Sequence, residues 1–185
     1  MRKDFGKKPW FYPLPVLIIG TYDKDGTPDA MNAAWGGLYQ SDMVELCLSA
    51  GHKTTKNILA TGAFTVSFAD KANVVPADYV GIASGNTVKD KIARAGWTVT
   101  RSDKVNAPII NELPLTLECT YVRTTEEGNI LGRIENISAD AHILDENGNI
   151  DTARLQPIAY DPADNTYKVL GDTVGRAFAD GKAKA

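Results

Sequence analysis

No stretch of this 185-residue chain approaches the ~20 consecutive apolar residues that a membrane-spanning helix needs. Its start, Met1-Arg2-Lys3-Asp4-Phe5-Gly6, runs into aromatics and prolines instead of an apolar stretch, so neither a signal peptide nor a membrane span is expected, and a cytoplasmic location is. An excess of positive charge is missing too. With 20 Lys and Arg against 23 Asp and Glu, the net charge is -3 and the signs are interspersed, which argues against a general nucleic-acid binder. Cysteine and histidine are scarce. Cys47 and Cys119 lie far apart in apolar strand-like contexts, without a CxxC pairing and with only His52 and His142 as companions. Neither a metal site nor a disulfide is expected from that pattern, and both thiols read as buried and reduced. There is also no HExxH, no Walker loop, no GxGxxG before a helix and no Ser/His/Asp order. Chemistry that relies on a side-chain nucleophile or on a catalytic acid is therefore not expected.

What is present reads as strands and turns. Val16 to Tyr22 is an apolar, β-branched run that ends at Asp23-Lys24-Asp25-Gly26, a strong turn, so a hairpin is predicted with Ala30 to Trp35 as its return strand. Gly36-Gly37 should then release the chain into a loop. Strands are predicted at Val44–Ser49, Phe64–Phe68, Leu115–Thr124 and Ile130–Ile137, around Ile158, and at Tyr167–Leu170. Helices are predicted over Thr54–Ala60, stopped by Gly62, over Val88–Ala95, ended by Gly96, and over a shorter stretch from Val74 to Val80. About seven hairpin-connected strands with two or three inserted helices suit a single mainly β (α+β) domain over residues 1–185, closed as an antiparallel barrel.

The segment Ser49-Ala50-Gly51-His52-Lys53-Thr54-Thr55-Lys56-Asn57 joins a strand to a helix and carries its charges in an unusual place. A helix N-terminus bears about half a positive charge and favours Asp or Glu in its first turn. Here Lys53 and Lys56 flank it, and no acidic residue occurs from Leu46 to Ala69. Exposed N–H groups, the Thr54 and Thr55 hydroxyls, Ser49 and a lysine would converge on an anion such as a phosphate. A capped surface helix with solvated lysines is the plain alternative. Met31-Asn32-Ala33-Ala34-Trp35 sets small residues beside an amide and an indole, leaving room for a flat ring, although a core Trp35 and a turn-forming Asn32 would explain it equally. Ser84-Gly85, ahead of the second predicted helix, is placed to close over a ligand or simply to cap that helix.

At these residues the chain resembles the flavin-reductase-like, FMN-binding split-barrel family, and most of all its flavoredoxin branch. The matching segments run in order: Tyr12-Pro13-Leu14-Pro15-Val16 with Gly20-Thr21, Met31 to Trp35, Ser49 to Asn57, Ala77-Asp78-Tyr79-Val80-Gly81 with Ser84-Gly85, Ala107-Pro108 with Leu117-Glu118-Cys119, and Gly175-Arg176-Ala177-Phe178 with Gly181-Lys182. The resemblance implies a split antiparallel β-barrel of Greek-key-like topology and a homodimer binding FMN near its interface. Ser49, Ala50, Lys53, Thr54 and Thr55 would surround the phosphate, and Asn32 with the backbone of Ala33 and Ala34 would contact the ring. Trp35 or His52 would border the ring face, His52 being alternatively a phosphate donor, and Ser84 and Gly85 would close the site. Where the family often carries Thr, this chain has Ala33, so only its backbone can act. Members reduce flavin with NADH or NADPH, or pass electrons to a redox protein partner, and FMN performs the chemistry in both cases.

Overall fold

Turn chemistry sets the first hairpin. Asp23 accepts a hydrogen bond from the Gly26 N–H through its carbonyl, and from the Asp25 and Thr27 N–H groups through its carboxylate. Gly26 takes the left-handed conformation (φ 81°) that such a turn assigns to glycine. Strands β2 (Leu17–Tyr22) and β3 (Pro28–Ala33) therefore pair antiparallel, with Leu17 opposite Ala33 and Tyr22 opposite Pro28; a two-residue strand, β1 (Leu14–Pro15), precedes them. The computed structural model describes residues 1–184.

The remaining strands and α-helices are β4 (Gly36–Gln40), β5 (Met43–Leu46), α1 (Lys53–Thr61), β6 (Ala63–Phe68), α2 (Val74–Ile82), α3 (Lys91–Arg94), β7 (Val99–Arg101), β8 (Pro108–Ile110), β9 (Leu115–Thr124), β10 (Ile130–Ala139), α4 (Thr152–Leu155), β11 (Ile158–Asp161) and β12 (Thr166–Val169). Seven strands make one antiparallel sheet in the order β3-β2-β6-β9-β10-β5-β4; β1-β11-β12 and β7-β8 form two smaller sheets. In a flat sheet the outer strands β3 and β4 would lie about 29 Å apart. They are consecutive in the chain, and the link from Ala33 to Gly36 reaches only about 11 Å when extended. The sheet must roll until its edges meet, and the result is a split barrel.

Both faces of β2 are buried. Leu17 and Ile19 join Val44, Leu46, Ile58, Phe64 and Leu117 in one core, whereas Val16 and Ile18 join Ala30, Ala77, Val80, Ile92 and Ile158 in another. That is why this strand reads as a continuous apolar run and not as an alternating one. The second core packs α2 against β3 and thereby positions the loop that follows the helix.

Three expectations need correction. Gly36-Gly37 opens β4 and does not release a loop. A Cβ at Gly36 would lie 2.8 Å from Leu46 Cδ2 and 3.0 Å from the Glu45 carbonyl oxygen, so glycine here permits close strand packing. The helix predicted over 88–95 shrinks to α3, because Ser84 instead organises the preceding residues as turns, its carbonyl accepting from the Thr87 and Val88 N–H groups. Among the described residues twelve strands form, counting the short β1, β7 and β8, which are two or three residues long and too brief to carry a periodic signal.

Candidate functional site

α1 begins without help from its own sequence neighbourhood. His52 occupies the N-cap position with no side-chain capping bond, and the first turn holds no acidic residue. Among the described residues, the N–H groups of Lys53, Thr54 and Thr55 find no acceptor. The acids absent from this stretch arrive from the β2–β3 hairpin. Lys53 Nζ lies 3.1 Å from Asp23 Oδ2, and the Thr54 hydroxyl donates to Asp29 Oδ2 over 2.6 Å. The Thr27 backbone N–H, helped by Lys53, holds the Asp23 carboxyl below its ordinary value.

These contacts revise how the segment presents donors. The Thr54 hydroxyl proton is committed to Asp29 and that of Thr55 to the Ser49 carbonyl at 2.9 Å, so their contribution to an anion comes from the backbone. Among the described residues the Ser49 and Ser84 hydroxyls act only as acceptors, from Gly51 N–H at 3.4 Å and from Asn86 at 3.3 and 3.4 Å, which leaves their protons available. The Ser84 loop is tied to α1 by Asn86, whose Nδ2 donates to the Gly51 carbonyl and whose Oδ1 accepts from Lys56.

A cleft of about 270 Å³ lies between the first turn of α1 and the loop after α2, and Asn32, His52, Lys53, Thr54, Ser84 and Gly85 all line it. The structure thus brings six residues from three distant segments to one place. A second cleft, of about 410 Å³, shares Asn32, Gly81 and Ile82 with the first and continues past Ala34 to Asp78, Tyr160 and Tyr167. Asn32 is held where the two meet by a 3.0 Å bond from Nδ2 to the Ala77 carbonyl. Gly81 allows this approach, since a Cβ there would lie 3.1 Å from Asn32 Cβ. Beyond it, the Tyr167 hydroxyl donates to Asp78 Oδ1 at 2.8 Å. Burial first, and the Asp78 carboxylate second, push this phenol up to about 12, so it remains protonated at neutral pH. Asp23, Asp29 and Tyr167 were not marked in the sequence as part of a site, and Asp78 and Gly81 stood in the segment Ala77 to Gly81 that carries the resemblance without a role of their own.

Other candidates lie elsewhere. Ala33 is buried in the barrel core, and Ala50 is exposed. Trp35 is exposed, not a core aromatic, and lines a different cavity of about 590 Å³ together with Trp10, Phe11, Leu38 and Cys47. His52 therefore faces the first cleft while Trp35 faces this other one, with Ala34 bordering both the latter and the second cleft.

Cys47 corrects the expectation that both thiols are buried. Val44, Leu46 and Leu48 point inward, so the two-residue period turns Cys47 out, whereas Cys119 is fully buried. Burial, reinforced by Glu135 and Glu118, pushes the Cys119 thiol from 9.0 up to about 12. Since the thiolate is the nucleophile, alkylation of the folded protein near neutral pH should modify one cysteine and alkylation in denaturant two, as counted by intact mass. Two adducts on the folded chain would contradict the assignment. The unfolded chain loses this proton as pH passes 9.0 while the folded chain keeps it; the associated stability is complete below 9.0 and is lost as pH climbs towards 12.

Comparison with known proteins places this geometry. Flavoredoxin of Desulfovibrio vulgaris (Miyazaki F) is 32% identical, superposes with a TM-score of 0.94, and is aligned over 98% of this chain and 100% of its own. Flavoredoxin from Methanosarcina acetivorans is 28% identical with a TM-score of 0.89 over the whole of both chains. Nitrilotriacetate monooxygenase component B from Bacillus cereus, at 20% identity, shares the fold with a TM-score of 0.74 over 90% of this chain and 88% of its own. No curated protein matches the sequence. Residues 10–162 match the model of the flavin reductase like domain, and the chain belongs to the flavin-reductase-like family.

Proposed function

We propose that this chain is an FMN flavoprotein that works as an NAD(P)H-dependent flavin reductase-type oxidoreductase, with one FMN per subunit of a homodimer. The observation that carries the reading is the pair of joined clefts. One end is lined by Lys53 and Thr54, whose N–H groups at the helix start have no acceptor among the described residues, and by Ser84 with its undonated hydroxyl proton, while Thr55 and Ser49 adjoin this turn without lining the cleft; such donors suit a phosphate. The other end offers an amide, a glycine and two tyrosines, which suit a flat ring. A group carrying a phosphate at one end and a flat ring at the other fits residues of these kinds.

FMN supplies the hydride and one-electron chemistry when bound. The residues of this chain do the holding. Lys53, Thr54 and Thr55 present their N–H groups to the phosphate, while the Lys53–Asp23 pair keeps the cationic side chain in place beside it. Asn32 and the backbone of Ala34 meet the ring, Ala33 being turned into the barrel core, and the Tyr167–Asp78 hydrogen bond keeps a protonated phenol on the groove wall. His52, at the mouth of the first cleft, serves the phosphate end. Trp35 does not border the ring within the same subunit. It lines a separate cavity with exposed Trp10, Phe11 and Leu38, apolar side chains that a homodimer contact would cover.

A second reading has support of its own: two of the related structures are flavoredoxins. A carrier would bind FMN as tightly but accept electrons from a redox protein partner and not rapidly from a nicotinamide. The purified protein is expected to be yellow, with a flavin spectrum that bleaches when NADH or NADPH is mixed in without oxygen. Bleaching within the turnover time of ordinary enzymes, roughly 0.1 s for a rate near 10 per second, favours the reductase. A flavin that stays oxidised for minutes favours the carrier, and a colourless protein that takes up no FMN defeats both.

A further inference from the structure

We propose that the buried ion pair Asp29–Lys91 is a positioning element that holds the two walls of the phosphate cleft at the spacing a phosphoryl group needs; this rests on the FMN reading above. Lys91 Nζ and Asp29 Oδ1 are 3.2 Å apart, with side chains only 3% and 7% exposed. Every polar contact of the pair leads to a wall of the cleft. Asp29 Oδ2 accepts from the Thr54 hydroxyl in the first turn of α1, and Lys91 Nζ also donates, at 3.1 Å, to the carbonyl of Ala83, immediately before Ser84 and Gly85. The chain of bonds Thr54–Asp29–Lys91–Ala83 thus runs from one wall to the other beneath the cleft.

The loop is seated on this pair. A Cβ at Gly85 would fall 2.3 Å from Asp29 Oδ1, 2.9 Å from its Cγ and 3.1 Å from Lys53 Cβ. Gly85 does not have a positive φ, so glycine is required there by lack of space and not by backbone conformation. The exposed ties through Asn86 reach across the same gap but compete with water, and surface contacts of that kind hold geometry weakly. A buried ion pair, by contrast, is seldom retained for stability, since desolvation consumes most of the Coulomb gain and an apolar replacement is often neutral or stabilising. What the pair contributes here is the fixed separation between the α1 N–H groups and the Ser84 hydroxyl.

The consequence is selectivity. If the brace sets the phosphate cradle, its loss should fall on FMN and spare riboflavin, which has the same ring and ribityl chain but no phosphate. The double variant D29N/K91M keeps the volume and leaves no buried charge unpaired. Flavin-free protein carrying it should melt at or above the wild-type temperature, its Kd for FMN should rise about tenfold or more, and its Kd for riboflavin should change little. Gly85→Ala, which lifts the loop off Asp29 without touching a charge, should give the same loss of discrimination and decides the matter if the double variant does not fold. Equal weakening for both flavins, or none for either, overturns the proposal. A wild-type protein that binds no FMN, or binds riboflavin equally well, removes the phosphate site itself, a failure visible before any variant is made.

Discussion

Lys53→Glu is expected to weaken FMN binding by roughly 2 kcal/mol or more, about 30-fold in Kd, when wild type and variant are titrated with flavin under the same salt. Two effects combine. The substitution removes the cation beside three donor N–H groups, and it sets a carboxylate within reach of Asp23, which lies 3.1 Å from the present ammonium. Like charges that close either push apart or hold a proton, and both outcomes disturb the first turn of α1. The salt condition matters because Lys53 is partly exposed and its field is screened. Wild-type affinity in the variant would remove Lys53 from the site and leave the backbone donors to carry the phosphate alone.

The largest stability effect is expected inside the barrel. Phe64 is fully buried on β6, and Phe64→Ala should destabilise the protein by about 3–5 kcal/mol through lost burial and the cavity it leaves. Its ring lies against Gly132 on β10, where a Cβ would approach Phe64 Cζ to 2.3 Å and Cε1 to 2.6 Å. Gly132→Ala should therefore cost about 1–3 kcal/mol by overpacking. Because each substitution relieves the fault of the other, the double variant should be more stable than the sum of the two losses predicts. Urea unfolding of flavin-free protein measures all three, since bound FMN would add its own stabilisation. Strict additivity would mean that the ring and the β10 backbone do not share the space attributed to them.

The residues that positioned the hairpins were legible without coordinates. Asp23 to Gly26 specifies a turn by its own backbone chemistry, Gly62 ends α1 in the left-handed conformation (φ 74°), and the alternation of Leu115 to Thr124 marks a long strand. Each of these signals is local, carried within a few residues, and each led to the correct element. The segment from Ser49 to Thr55 was legible for the same reason, because a cationic helix start is visible in the order of the residues. The inference that nothing nearby answered its charge was true of the sequence and incomplete in space.

What only the tertiary structure decided were the relations between segments. Asp23 and Asp29 reach Lys53 and Thr54 from 30 and 25 residues away, and Lys91 closes the brace from farther still. No periodicity reports such a contact, because it depends on how β3, α1 and the loop after α2 are stacked by a sheet rolled upon itself. The same closure turned Gly36-Gly37 from a predicted loop into a strand and separated Trp35 from the cleft that holds His52. Local backbone preferences act over a turn or two of chain, so sequence determined the elements and the donor-rich segment. Burial and charge pairing act over distance in space, and they alone settled which residues share the cleft.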